Sequence, residues 1–465
     1  METPPKKVCI QGLGFVGAAM SVAVASACSS TGEPLYDVTG VDQDTDSGRQ
    51  RVAAIEAGKF PFSAQDPTLI TKLEECHERG NLHATTDIEV YASADVVVID
   101  VSLDIEFTDE EPRLDLEGLK AAFLDVAKRV PAGALILVET TVPPGTCERV
   151  LKPILEEVSR SKRLATDAID LAHSYERVMP GDYYFDSITN FWRVYAGTTT
   201  RAADACEKFL STLIDVTRFP LSRLASTTAS ETAKVMENSY RSVNIAFVDE
   251  WTKYAEKVGI DLFDVIDSIR VRPTHSNLRF PGLGVGGYCL TKDPAFAPAA
   301  AREIFGIADL EFPFSKLAMK TNQLMPLHSA ERLAEMFGGQ CDRRRVLLMG
   351  VSYRQDVGDT RFSPAETMAL ALIDLGMTVE AYDPFVLEWT EIDVPLYQDL
   401  PSASGFDAVV FSTPHNMFRE MDVGAWIGPS KPIVLDTVNV IAKSERDWCR
   451  AQGVHVESIG RARGL

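Results

Sequence analysis

Hydrophobic residues in the first third of the chain fall into short runs, separated by longer segments with a helical pattern. Such alternation is typical of a parallel sheet whose strands are joined by crossover helices. The runs predict five strands, at Lys7–Gln11, Asp37–Val41, Asp95–Val101, Ala134–Glu139 and Ile169–His173. We therefore expect this part of the chain to form an α/β domain.

The pattern changes in the middle of the chain and returns near its end. The segment from about Thr227 to Glu256 contains no glycine or proline and predicts one long helix. From Arg345 onward, strand and helix patterns alternate again, in RVLLMGV, SPAETMALALIDLG, MTVEAYDP, FDAVVFS and PIVLDTV. We expect two Rossmann-like, doubly wound parallel-sheet domains joined by a central helical domain, with boundaries at 1–215, 216–325 and 326–465.

Composition restricts the partners and the compartment. The chain has 67 acidic and 46 basic residues, a net charge of −21, which disfavours binding to nucleic acid or to an anionic membrane. A local basic pocket could still bind a small anionic substrate, because salt screens the distant acidic surface. The eight cysteines include no C-x-x-C pair, which argues against disulfides and against a structural metal site. A cytoplasmic protein without a bound metal is predicted.

A glycine-rich turn follows the first predicted strand and opens an apolar helix, so its backbone could approach a pyrophosphate. Similar turns also occur without a ligand, but here Asp42 ends the next strand, where an acid can bind an adenosine ribose. Gln43 and Asp44 follow, so a 2′-phosphate would meet acid, and NAD is favoured over NADP. The predicted cofactor-binding residues are Gly12, Gly14, Phe15, Val16, Gly17 and Asp42.

Two further patterns suggest reactive groups. Cys289 follows several glycines in PGLGVGGYCLTKDP, where a ligand carbonyl could reach its thiol, although a free cysteine is more often a small buried apolar residue. Lys234 and Asn238 lie four residues apart on the long predicted helix and therefore share a face. Together they could bind an oxyanion, although a solvated lysine beside a surface asparagine is the commoner arrangement.

Six segments, taken in order, make the chain resemble a known family. They are KVCIQGLGFVG, VETTVPPGT, SYERVMPG, ETAKVMENSYRSVNIAFVDE, PGLGVGGYCLTKDP and GVSYRQDVGDTRFSPAE. Over nearly its whole length the chain resembles the UDP-glucose/GDP-mannose dehydrogenase family. The resemblance implies an N-terminal NAD-binding domain, a central helical domain that forms a homodimer or a dimer of dimers, and a C-terminal domain that helps to hold a nucleotide-sugar substrate.

The resemblance also implies a reaction, in which the C6 alcohol of the sugar is oxidised by four electrons to a uronic acid for polysaccharide biosynthesis. The catalytic residues that it implies are Cys289, Lys234, Asn238, Asp293, Thr141 and Glu176. The cysteine would form a thioester, and the lysine and asparagine would stabilise oxyanions. The remaining three would order or activate the hydrolytic water, and two NAD would be consumed for each acid formed.

On the substrate side, the resemblance implies contacts from Arg279, Gly286, Arg354 and Arg361. Arg361 matches a family arginine that reaches the substrate of the neighbouring subunit, and a guanidinium suits a diphosphate because it can bind in bidentate fashion. Arg354 stands where the family usually has lysine, and Leu103-Asp104 replace an expected threonine-proline pair. Contacts at these two places are therefore less well defined.

The SYERVMPG segment indicates which sugar to expect. It is similar to the corresponding segment in the family branch that acts on UDP-N-acetylmannosamine and UDP-N-acetylglucosamine. An N-acetylhexosamine is therefore favoured, although Tyr288 stands where that branch commonly has histidine. His275 and Asn277, with Arg279, occupy the segment that would face the sugar.

Three alternatives stay open at this point. The chain could be a UDP-glucose 6-dehydrogenase with the same mechanism, or a two-electron hydroxyacid or polyol dehydrogenase, which would not need Cys289. It could also be an inactive protein that only binds NAD or a nucleotide sugar.

Overall fold

The computed structural model describes residues 4–62, 66–108, 111–179 and 181–462. The chain forms two compact units, Met1–Glu237 with Ala295–Glu311, and Asn238–Pro294 with Phe312–Leu465. The division into three domains at the boundaries given above stays a prediction. Within the described ranges, no helix is both long enough and apolar enough to cross a bilayer.

The first unit is built on an eight-stranded sheet and a small separate hairpin. Its strands are β1 (Lys6–Gln11), β2 (Tyr36–Val41), β3 (Leu82–Thr85), β4 (Val96–Ile99), β5 (Ile105–Glu106), β6 (Arg113–Leu114), β7 (Leu135–Val138), β8 (Asp170–His173), β9 (Val194–Gly197) and β10 (Ser222–Arg223). The sheet order is β10-β9-β8-β7-β4-β1-β2-β3, and only the β8–β9 pair is antiparallel. The strand order reverses between β1 and β4, which in doubly wound sheets is where a ligand binds.

Seven α-helices of this unit lie between its described strands along the chain. They are α1 (Phe15–Ser26), α2 (Asp46–Glu56), α3 (Pro67–Arg79), α4 (Glu117–Arg129), α5 (Lys152–Ser161), α6 (Tyr184–Thr189) and α7 (Thr200–Leu210). Helix α1 consists largely of small apolar residues, and its residues Gly17–Ala25 are all buried. A helix that is apolar on every side requires such an environment.

Four helices occupy the middle of the chain: α8 (Thr227–Val258), α9 (Leu262–Arg270), α10 (Phe296–Glu303) and α11 (Pro313–Met336). Helix α8 runs unbroken for 32 residues, as the absence of glycine and proline predicts. Helix α9 begins after Asp261, whose side chain accepts a hydrogen bond from the backbone N–H of Phe263.

The second unit contains a six-stranded sheet that is parallel throughout, in the order β13-β12-β11-β14-β15-β16. Its elements are β11 (Arg345–Met349), α12 (Pro364–Asp374), β12 (Thr378–Tyr382), β13 (Leu396–Tyr397), β14 (Ala408–Phe411), α13 (Asn416–Glu420), α14 (Val423–Ile427), β15 (Ile433–Asp436), α15 (Lys443–Ala451) and β16 (Val456–Ser458). Strand β11 is covered on both faces, because Val346 and Leu348 belong to one apolar cluster and Leu347 and Met349 to another.

The predicted fold class is confirmed, and the five predicted strands and the long helix are all present. Predicted strand ends run too far in two places, since Asp100 lies beyond β4 and Glu139 beyond β7. Strands β3 and β9 were not predicted, because four-residue segments such as LHAT lack a continuous run of β-branched residues.

Candidate active site

The glycine-rich turn after β1 has the shape of an anion cradle. Gly12 has a φ of +95°, and a Cβ placed there would lie 2.6 Å from the carbonyl oxygen of Asp100. A Cβ on Gly17 would overlap the carbonyl oxygen of Gly12, whereas one on Gly14 would meet no described atom within 4 Å. Helix α1 begins directly after Gly14, so its first N–H groups face this open side. The turn therefore fits a pyrophosphate group.

The side chains next to the turn pack around its rim. Phe15 stacks on Phe62 with ring centroids 4.1 Å apart, and the Phe15 carbonyl accepts a hydrogen bond from the Tyr184 hydroxyl. Val16 is half-buried. These contacts fix the start of α1 while its backbone stays accessible.

Asp42 is buried at the end of β2 and is tied to the same turn. Its carboxylate accepts hydrogen bonds from the backbone N–H groups of Leu13 at 3.3 Å and Gln43 at 2.8 Å. It also pairs with Arg51, whose Nε lies 2.7 Å from Oδ2. Arg51 was not predicted, because it lies nine residues after Asp42 and only the residues directly after Asp42 entered the choice of cofactor. The arginines of the helix that follows β2 were the signal that could have found it.

Lys234 and Glu176, both predicted to be catalytic, are in contact. The Lys234 ammonium donates to the Glu176 carbonyl at 2.8 Å and to its carboxylate at 3.3 Å. Both side chains are about nine-tenths buried, at 9% and 11% exposed, and the ammonium lies 5.5 Å from the Tyr175 ring centroid. Pro180 of the same segment lies outside the described residues. A buried cation–carboxylate pair of this kind can hold a charged oxygen in a defined place.

Thr141 lies just after the end of β7, and Glu176 lies just after the end of β8. These two strands are neighbours in the sheet. Thr141 is buried, and the loop that follows it is held by Glu231 of α8. The Glu231 carboxylate accepts hydrogen bonds from the backbone N–H of Gly145 at 2.6 Å and of Cys147 at 2.8 Å. Burial raises the pKa of Glu231 to about 7, although these bonds oppose the rise. Glu231 was not predicted as a site residue.

Beneath the glycine turn lies a buried charged group that the sequence analysis also missed. Glu139 forms an ion pair with Arg193, and both side chains are almost fully buried. Asp100 is half-buried as a residue, but both of its carboxylate oxygens are buried and have no hydrogen-bond donor among the described residues. Burial, followed by the negative charge of Glu139, raises the pKa of Asp100 well above its ordinary value. The raised pKa favours the protonated form of the Asp100 carboxyl, which can donate a hydrogen bond where the carboxylate cannot.

In the second unit, Asn238 and Asp293 are in direct contact. The Asn238 amide donates to one oxygen of the fully buried Asp293 carboxylate at 2.7 Å, and the Lys292 ammonium donates to the other at 2.9 Å. The Cys289 carbonyl accepts from the backbone N–H of Asp293 at 2.9 Å, while the Cys289 side chain is exposed. The exposed Cys289 and the buried acid–amide pair therefore belong to one turn, which a backbone hydrogen bond closes. Lys292 is an addition to the predicted residues.

The glycines before Cys289 are required for packing. A Cβ on Gly286 would lie 2.7 Å from the Phe362 carbonyl oxygen and from the Tyr353 Cβ. On Gly287, whose φ is +80°, it would lie 2.5 Å from the Tyr353 ring. Burial also raises the pKa of Tyr353 to about 12. The loop that carries the cysteine is thus pressed against the segment that contains Arg354.

The three predicted substrate arginines lie in this unit in different environments. Arg361 makes a two-pronged ion pair with Asp359, at 2.9 and 2.7 Å, with its side chain 49% exposed. Arg354 is half-buried. Arg279 is exposed as a residue, but partial desolvation of its guanidinium, together with the nearby charges of Arg241 and Arg270, lowers its pKa. The charges of Arg241, Arg270 and Arg279 interact with one another, and such a group of cations is suited to an anionic ligand.

The predicted residues thus form two sets. The first unit holds Thr141, Glu176 and Lys234 together with the cofactor turn. The second unit holds Asn238, Cys289 and Asp293 together with Gly286 and the three arginines. Lys234 and Asn238 lie one turn apart on the continuous helix α8.

Three models of one family match successive parts of the chain. They describe the NAD binding domain, matched by residues 6–214, the central domain, matched by 228–323, and the UDP binding domain, matched by 347–443.

Individual relatives cover nearly the whole chain. A UDP-N-acetyl-D-mannosamine dehydrogenase of Methanocaldococcus jannaschii is 30% identical, over 98% of this chain and 96% of its own. Among solved structures, a UDP-D-ManNAc dehydrogenase from Pyrococcus horikoshii has a TM-score of 0.79 at 27% identity, covering 98% of this chain and 99% of its own. An NDP-N-acetyl-D-galactosaminuronic acid dehydrogenase from Methanosarcina mazei has a TM-score of 0.78 at 26% identity, covering 98% and 96%. The predicted resemblance is confirmed, and the chain belongs to the UDP-glucose/GDP-mannose dehydrogenase family.

Proposed function

We propose that the chain is an NAD-dependent nucleotide-sugar 6-dehydrogenase that oxidises the C6 alcohol of a UDP-N-acetylhexosamine to a uronic acid. The observation that carries the proposal is the turn at Cys289, in which the exposed cysteine is joined by a backbone hydrogen bond to Asp293, the buried partner of Asn238. A protein that only binds a nucleotide sugar does not need a nucleophile in this setting. The relatives named for N-acetylated sugars favour such a sugar over glucose.

The residues that would hold NAD are those of the glycine turn (Gly12, Gly14, Phe15, Val16 and Gly17) together with Asp42. The turn and the start of α1 fit the pyrophosphate, and Asp42 would accept hydrogen bonds from the adenosine ribose. When bound, NAD would supply the hydride acceptor for each oxidation. Backbone N–H groups and Arg51 hold the Asp42 carboxylate in place as an acceptor for a ribose hydroxyl, and an acid at this position favours NAD over NADP.

We assign Cys289 the central covalent role. The first two-electron oxidation converts the alcohol to an aldehyde, and the Cys289 thiolate then adds to the aldehyde carbon, forming a C–S bond and an alkoxide. In the second two-electron oxidation, the C–H bond of the same carbon breaks, the hydrogen leaves with its electron pair as a hydride, and the alkoxide becomes the carbonyl of a thioester. Water then cleaves the C–S bond, which releases the carboxylate and returns the thiol. Two NAD are reduced for each acid formed.

The charged and polar neighbours have distinct roles in this scheme. Lys234, already bound to Glu176, and Asn238 would stabilise the successive oxyanions. Asp293, Thr141 and Glu176 would order the hydrolytic water or accept its proton. Arg354, Arg361, Arg279 and Gly286 would contact the nucleotide sugar, with Arg361 suited to a diphosphate.

We further propose a homodimer formed through α8. Large side chains on one face of this helix are about half exposed, namely Tyr240, Phe247, Trp251, Tyr254 and Val258, at 53%, 50%, 46%, 52% and 50%. Their spacing of seven, four, three and four residues follows one helical stripe. An exposed apolar stripe of this kind is typical of a surface that binds a partner.

A reducing cytoplasm suits this activity, because the exposed Cys289 thiol must stay unoxidised. A uronic acid formed there would be available for polysaccharide biosynthesis.

The test is a count of electrons. We would incubate the protein with excess NAD and a limiting, known amount of UDP-N-acetylglucosamine, UDP-N-acetylmannosamine, UDP-glucose or GDP-mannose. The expected result is two NADH per molecule of a UDP-N-acetylhexosamine. If two NADH were formed from UDP-glucose alone, UDP-glucose would be the substrate instead. One NADH per sugar would refute the thioester step.

A matched pair of cysteine variants separates chemistry from folding. Cys289→Ser should abolish formation of the acid. Cys28→Ser, at another exposed cysteine, should leave the stoichiometry unchanged. Full acid formation by Cys289→Ser would contradict the assigned role.

A further inference from the structure

A fully buried histidine joins three strand ends of the second sheet. His415 follows β14, and its Nδ1 accepts a hydrogen bond from the backbone N–H of Asp356 at 2.9 Å. Its Nε2 lies 3.1 Å from the Asp383 carboxylate, which follows β12, and 3.2 Å from the hydroxyl of Ser352, which lies after β11. All these groups are at most 8% exposed.

The hydrogen bonds fix the tautomer of His415. A backbone N–H can only donate, so Nδ1 carries no proton, and the proton of the neutral ring is on Nε2, from which it is donated to Asp383. Nε2 therefore cannot accept the proton of Ser352, whose hydroxyl lies close to acceptors on Arg354 and Asp383. The trio is thus not a hydrolytic triad, and its role must be sought in what it holds.

Asp383 holds the first part of the loop that follows β11. One of its oxygens accepts hydrogen bonds from the backbone N–H of Val351 at 2.8 Å and of Ser352 at 3.0 Å. Although burial opposes it, the hydrogen bond from His415 keeps the pKa of Asp383 below its ordinary value. A buried carboxylate therefore anchors the start of the loop.

The far end of the same loop is strained and is held by His415 and its neighbour. Asp356 has a φ of +54°, a conformation that costs energy for a residue other than glycine. His415 binds the Asp356 N–H, and the Asp356 carboxylate accepts from the backbone N–H of Asn416 at 3.0 Å. Between the two anchored ends lies Arg354, which carries one of the proposed nucleotide contacts.

We propose that His415 is a positioning residue for the nucleotide subsite, in which its Nδ1 keeps the strained Asp356 peptide, and with it Arg354, in the form that binds the nucleotide. The inference rests on the proposed function, which places a nucleotide against Arg354. His415 sets the affinity for the nucleotide part of the substrate, and it leaves the chemistry at Cys289 unchanged.

Two substitutions divide the roles of the ring nitrogens. His415→Asn keeps an oxygen near the position of Nδ1, which can accept from Asp356, whereas His415→Gln keeps an N–H near Nε2, which can donate to Asp383. The probe is UDP, with its Kd measured by calorimetry on the full chain. We expect His415→Gln to weaken UDP binding about tenfold and His415→Asn to stay within about threefold of the unaltered protein.

Kinetics add a measurement that a purely structural role would not reproduce. The KM of the nucleotide sugar should rise with the UDP Kd in His415→Gln, while kcat stays within about twofold. Phe418→Leu is the matched control, because the Phe418 ring packs 5.3 Å from the His415 ring without a hydrogen bond to the loop. It should lower thermal stability and leave the UDP Kd unchanged.

The outcomes are distinguishable. Equal UDP affinities in both His415 variants, or an equal loss in Phe418→Leu, would overturn the role of His415. A fall in kcat without a rise in KM would overturn it too. If the unaltered protein did not bind UDP, the proposed function would fail together with this role.

A second pair of variants covers the case in which His415→Gln does not fold. Asp356→Ala loses the acceptor for Asn416 and disfavours the positive φ, whereas Asp356→Asn keeps both properties. UDP should bind about tenfold more weakly to the alanine variant than to the asparagine variant. Equal binding by the two would contradict the requirement for a held loop.

Discussion

Asp100 provides a test of the buried acid beneath the cofactor turn. Its carboxyl is fully buried beside the Glu139–Arg193 pair, and burial and then Glu139 raise its pKa well above the ordinary value. The folded protein therefore retains a proton that the unfolded chain releases. This contribution to stability is fully present below the ordinary aspartate pKa and is lost as pH rises through the raised one.

The expected magnitude follows from proton linkage. Between the two pKa values, the free energy of unfolding should fall by at most about 1.4 kcal/mol for each pH unit on account of Asp100. Asp100→Asn resembles the protonated acid, because its amide can donate to Glu139 without a proton that is lost at high pH. The variant should match the unaltered protein near pH 4 and become progressively more stable than it as pH rises.

The assay is urea unfolding at a series of pH values, with Asp374→Asn at the exposed end of α12 as the control. The control should unfold in parallel with the unaltered protein at every pH. Parallel curves for Asp100→Asn as well would refute the assignment of a neutral acid at this position.

Three further perturbations test other parts of the molecule. Arg177 donates to Glu237 at 3.0 Å and also to the Trp192 carbonyl and the Tyr175 hydroxyl, so it holds the segment 174–179 in place. Arg177→Ala should therefore raise the KM of the nucleotide sugar about tenfold, and an unchanged KM would exclude a part for Arg177 in ordering that segment. Glu231→Ala would leave two buried N–H groups without an acceptor and should lower the free energy of unfolding by about 3 kcal/mol in urea, with a loss below about 1 kcal/mol as the contrary result. Trp251→Glu places a charge in the exposed stripe of α8 and should yield a monomer by sedimentation, whereas an unchanged dimer would place the interface elsewhere.

The sheets were predictable because buried parallel strands are continuous apolar runs, as in RVLLM of β11. The glycine turn and Asp42 were predictable because their spacing is local. The contact of Lys234 with Glu176 spans 58 residues and that of Glu231 with Gly145 spans 86, and nothing in either segment alone reveals such pairs. The resemblance supplied the first pair and left out the second.

Residues missed in the site share a physical reason. Asp100 lies within a predicted strand, and Lys292 lies directly before the predicted residue Asp293. The importance of both residues depends on their burial in the fold. The pKa of Asp100 is raised only because the fold removes water from its carboxyl and places Glu139 nearby. His415 likewise gains its role from the ends of three strands, which lie far apart along the chain.

The close packing of Gly286 and Gly287 against Tyr353 bears on how this enzyme could be altered. A methyl group at either position would displace the thiol-bearing loop, so evolution and protein engineering have little latitude there. The exposed segment His275–Arg279 has no such restriction, since most of its side chains face solvent. Changes of sugar preference should accumulate in that segment, while the glycines persist in variants with any substrate.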